Sequence, residues 1–120
     1  MLHLDGKWTI SAVIVATLLG AAGCHRSYHD DLVAICACPY DVPPAGASSA
    51  TANAAGRAAY KCMEGNAKTP KALKSVGAIG GASTAPVRGK LLREWAKEEG
   101  IESCPVADAF DKAWAAEQAK

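Results

Sequence analysis

Large apolar and aromatic side chains are scarce in this sequence. Aromatic residues make up 6% of it, with one phenylalanine and two methionines. So thin a supply excludes a large, self-sufficient core, and small cores usually need covalent or metal staples. Charge of one sign is lacking too. The formal net charge is +1, so no overall field selects nucleic acid or a strongly acidic partner. After Cys24 no segment alternates apolar and polar residues with β-branched enrichment, which excludes a strand-based fold.

Chemical motifs are missing as well. There is no Gly-x-Ser-x-Gly, no phosphate loop, no Cys-x-x-Cys and no haem-attachment pattern. A hydrolase needs a nucleophile with a positioned base. All three histidines, His3, His25 and His29, lie ahead of residue 30, before the expected packed body. The glycine-rich stretch 77–81 has no strand before it and no Gly-Lys-Ser/Thr after it, and reads as a hinge or helix break. The expectation is a non-enzymatic protein with no cofactor and no metal.

What is present begins with an address. Residues 8–22 form an uncharged run preceded by Lys7, with Asp5 partly cancelling the positive charge. The run falls short of the roughly 20 residues that cross a bilayer. It fits the apolar region of a signal peptide and ends in small residues. Ala21-Ala22-Gly23-Cys24, with Leu18 and Leu19 upstream, resembles the lipobox of bacterial lipoproteins, although Ala21 stands where leucine is commoner. The resemblance covers residues 1–24. It implies diacylglyceryl transfer to Cys24, cleavage before it, and usually acylation of the new amino group. Each buried CH2 of such chains contributes roughly 0.8 kcal/mol to membrane attachment. His25, where the family's inner-membrane signal is Asp, favours the outer membrane. The implied organisation is a signal peptide over 1–23, a lipidated tether over 24–29 and a small helical domain over 30–120.

Beyond Cys24 the spacing is helical, and four or five short helices are expected. Asp30 and Asp31 are placed to cap a first helix running to about Cys38, where Pro39, Pro43 and Pro44 end it. An Ala-rich helix over 50–63 carries Tyr60 and Cys62. Thr69-Pro70 opens a third, with Leu73, Val76 and Ile79 on its face, stopping at Gly80-Gly81. The fourth opens at residues 83–86, with Val87, Leu91, Leu92 and Trp95 as its apolar face. Gly100 and Ile101 close it in the manner of a Schellman cap. The fifth opens at residues 103–105 and repeats Val106, Phe110 and Trp114. Trp95, Phe110 and Trp114 are expected at the centre of the core.

Of five cysteines, acylation of Cys24 leaves four, enough for two disulfides with three possible pairings. Cys36 and Cys38 point to different sides of a helix and should reach different elements. Cys36 with Cys104 and Cys38 with Cys62 is favoured, and the reverse is nearly as good. The rival expectation uses the Cys36/Cys38 pair, with His25, His29 and Cys62, for copper(I), zinc or thiol redox chemistry.

Charge is uneven along the chain. Residues 57–97 hold nine basic side chains against Glu64 and Glu94, and residues 98–117 hold six acidic ones against Lys112. That suits the solvated faces of amphipathic helices, or a dipolar surface that meets an envelope protein or anionic polymer. The part after Cys24 is similar to small helical lipoproteins with a few cysteines and a helix ending like Gly100-Ile101-Glu102-Ser103-Cys104; this resemblance implies no activity. The expected class is therefore an all-α, disulfide-stapled lipoprotein of the cell envelope. It would face the periplasm or the exterior, as a structural or interaction module. The alternatives are a periplasmic metal or redox protein and an inhibitor of an envelope enzyme.

Overall fold

The computed structural model describes residues 26–119. The expected signal peptide and the lipidation site Cys24 lie outside these residues. The described part is all-helical, with five helices: α1 Tyr28–Cys36, α2 Ser49–Asn66, α3 Pro70–Gly81, α4 Ala85–Glu98 and α5 Pro105–Gln118. None of them is long and apolar enough to cross a membrane.

Local chemistry fixes most helix ends. Ser27 caps α1: its hydroxyl accepts from the Asp30 N–H while the Asp30 carboxylate accepts from the Ser27 N–H, a reciprocal capping box. The helix thus starts at Tyr28, ahead of the expected aspartate cap. Ser48, Thr69 and Thr84 cap the next three, each accepting from the backbone N–H three residues on. Proline in the first turn helps to open α3, α4 and α5, where its missing N–H costs nothing. The end of α4 is a full Schellman motif. Ile101 N–H donates to the Ala96 carbonyl and Gly100 N–H to that of Lys97, with Gly100 at φ +73°.

The nine-residue α1 is the hub, packing against all four other helices. Leu32 and Ile35 of α1, Met63 of α2, Ile79 of α3, Leu92 of α4 and Val106 of α5 are almost fully buried around it. The widest helix–helix contact is between α4 and α5, joined by a short loop.

Several expected faces are displaced. Leu73 is 57% exposed and Val87 41% exposed. Their places against the core are taken by smaller neighbours, Ala72 and Ser75 in α3 and Gly89 in α4. The expected aromatic centre is not formed. Phe110 is buried, but Trp95 is only partly so and Trp114 is 39% exposed. Phe110 instead meets the edge of Tyr40, with ring centroids 5.3 Å apart.

Candidate functional site: a cationic groove between α2 and α3

Two disulfides tie the bundle. Cys36 joins Cys104, with Cα atoms 4.5 Å apart, and links the end of α1 to the start of α5. Cys38 joins Cys62, with Cα atoms 5.9 Å apart, and links the segment after α1 to α2. Asn66 donates from its amide to the Cys62 carbonyl and lies against both sulfurs of the second bridge. Among the described residues, no three His, Cys, Asp or Glu side chains converge as a metal site would require. His29 donates from Nδ1 to the Glu99 carbonyl at the end of α4.

Asp31 is the one fully buried charge among the described residues. One carboxylate oxygen accepts from the Lys68 N–H, the Thr69 N–H and the Thr69 hydroxyl at 2.8–2.9 Å. The other pairs with Arg26 at 2.7 Å. Burial pushes its carboxyl upward, but Arg26 and the three donors around Thr69 outweigh burial and hold it below the ordinary 3.8. Asp31 thus caps α3, not its own helix. It is a structural clamp with both carboxylate oxygens engaged.

Among the described residues, helices α2, α3 and α4 line an open groove of about 800 Å³. One wall is a stripe of α2. Asn53, Gly56, Arg57, Tyr60, Lys61 and Glu64 line it, three and four residues apart and therefore on one face. Gly77 and Gly80 of α3 form the other wall, and Arg88 of α4, Tyr40 and Phe110 complete the lining. The walls approach closely because Gly80 has no side chain. A Cβ there would sit 2.6 Å from the Tyr60 hydroxyl. That hydroxyl donates to the Val76 carbonyl and fixes the ring.

The charges in the groove are held differently. Arg88 donates from Nε to the Ile79 carbonyl and from Nη2 to the Ala82 carbonyl, so its guanidinium is anchored at the end of α3, where it shares the Ile79 carbonyl with the Ala82 N–H. Among the described residues Arg57 and Lys61 make no ion pair and no side-chain hydrogen bond. Glu64 is the single acidic residue on the lining. Burial pushes the Tyr40 phenol upward, and nearby Arg88 offsets part of that, so the phenol stays a neutral donor at neutral pH.

The groove draws three cations from the basic stretch 57–97 into one place. The sequence signal for it was the spacing of Arg57, Tyr60, Lys61 and Glu64 on one helix face. Nothing local announced Tyr40 and Phe110, which arrive from a loop and from α5. Fold and site together define a class: a disulfide-stapled bundle of five short helices that presents a cationic, tyrosine-lined groove. Comparisons with protein families, with curated proteins and with solved structures find no match.

Proposed function

We propose that this chain is a non-enzymatic lipoprotein of the bacterial cell envelope, anchored by acylated Cys24 and serving as a small interaction module. One observation carries the reading. The four cysteines downstream of Cys24 are consumed in two bridges, so the cysteine of the lipobox-like sequence has no partner left within the folded body. Bridges of this kind persist in oxidising compartments, which suits export. The groove supplies a surface on which an envelope protein or anionic polymer can be held, and the outer membrane is the favoured location.

Processing tests the anchor. The precursor should accumulate in cells treated with globomycin, and Cys24→Ser should abolish both acyl labelling and cleavage. A full-length chain found soluble in the cytoplasm, with its amino terminus intact and its thiols reduced, would sink the proposal. Mass spectrometry of the intact protein without reductant tests the rival. Four free thiols that take up copper(I) or zinc would favour metal binding by the Cys36/Cys38 pair.

A further inference from the structure

We propose that the groove between α2 and α3 binds an acidic saccharide, a sugar chain bearing carboxylate or phosphate groups. The inference rests on reading the protein as an envelope interaction module and names the chemistry that module recognises.

Charge gives the first argument. Arg57, Lys61 and Arg88 face one cavity against Glu64 alone. Arg57 and Lys61 carry no internal counter-ion among the described residues. A guanidinium presents paired donors whose geometry matches carboxylate and phosphate. Arg88 is already anchored on two carbonyls, so little ordering is needed when an anion arrives.

The lining gives the second. Tyr40 and Tyr60 bring amphipathic rings to the groove, flanked by the Asn53 amide. Rings of this kind offer an apolar face to the C–H side of a sugar and a polar edge to its hydroxyls. The Tyr40 hydroxyl makes no hydrogen bond among the described residues and is free to donate. Gly77 leaves open space on the α3 wall, with nothing within 4 Å of where its Cβ would lie. A peptide is the poorer match. The walls are helices whose backbone groups are satisfied internally, so an extended chain finds no row of N–H and C=O groups to pair with.

The test is calorimetric titration of the full chain in non-ionic detergent with three probes of equal length. These are oligogalacturonate, its uncharged methyl ester and oligoglutamate, with phosphorylated oligomannose as a separate arm. Saturable binding of oligogalacturonate or phosphorylated oligomannose is expected, and the arm that binds identifies the anionic group. Arg57→Ala and Lys61→Ala should each weaken it roughly tenfold, with an unchanged circular dichroism spectrum. Tyr40→Phe should weaken it less. Absence of saturable binding in both acidic sugar arms would overturn the proposal. So would equal binding of the uncharged ester, or preference for oligoglutamate, which would assign the groove to an acidic peptide. None of these results bears on acylation of Cys24, which processing tests separately.

Discussion

Asp31 shows how far a single residue can depart from its local setting. In sequence it sits beside Asp30 near a helix start, where an acidic side chain ordinarily serves its own helix. The structure gives that duty to Ser27 and Asp30 and turns Asp31 inward to close the start of α3, 37 and 38 residues further along. Spacing cannot reveal such a role, because the three donors come from a distant turn. Replacing the carboxylate strands two part-buried N–H groups and the Thr69 hydroxyl. Asp31→Ala should lower unfolding free energy by roughly 3 kcal/mol, and Asp31→Asn by less, since an amide oxygen still accepts. The pH dependence has a definite sign. The folded-state carboxyl lies below the ordinary 3.8, so its stabilisation is complete above that pH. It is lost as pH falls through the depressed folded value. Urea midpoints of the wild type and Asp31→Ala should therefore converge below about pH 3.8 and stay apart at neutral pH. A constant gap across that range would remove Asp31 from its place as a charged clamp.

At the scale of elements, helix punctuation was legible and helix faces were less so. Thr69-Pro70 and Thr84 mark their helices because capping and proline act within one turn. Gly100 and Ile101 form the expected close for the same reason. The faces of α3 and α4 were misread where small residues meet the core, since periodicity follows large apolar side chains and those at Leu73 and Val87 point outward. Gly89 is the clearest case. A lone glycine in a helix usually costs about 1 kcal/mol relative to alanine, yet here it lets α4 and α5 approach. A Cβ at Gly89 would lie 2.9 Å from the Ala107 carbonyl oxygen and 3.1 Å from an Asp111 carboxylate oxygen. The first of these is backbone and cannot rotate away. Arg93, which pairs with Asp111 at 2.8 Å and Asp108 at 3.3 Å, spans the same junction. Gly89→Ala should therefore destabilise by roughly 1–2 kcal/mol despite its better helix propensity. Gly77→Ala, with nothing within 4 Å of its Cβ, should be neutral or stabilising. Thermal melts of the two variants in parallel decide this, and a stabilised Gly89→Ala would show that the helices separate at no cost.

Across the whole molecule the thin core and the bridges belong together. Among the described residues, the largest side chains buried to under 2% exposure are Leu32, Ile35, Met63, Ile79, Leu92, Val106 and Asp31. That is little to offset the backbone entropy of five helices. The sequence announced both the shortage and the cysteines. Because Cys36 and Cys38 sit on different sides of the end of α1, they reach two separate elements, α5 and α2. What it could not announce was the gathering of the basic stretch into one groove, which depends on how α2, α3 and α4 converge around α1. The two bridges constrain the unfolded chain unequally, spanning 68 and 24 residues. In the chain-entropy picture they contribute about 4 and about 3 kcal/mol. Each is a large share of the stability of a small domain. Replacing Cys36 and Cys104 by serine should therefore cost more than replacing Cys38 and Cys62. The asymmetry is sharpened by burial, since Cys36 and Cys104 are 2% and 5% exposed and their hydroxyl replacements would lie in the core. With all four replaced, the chain should lose its cooperative urea transition. A four-serine variant that still unfolds in one sharp step, near the wild-type midpoint, would mean that packing around α1 suffices and the bridges are dispensable.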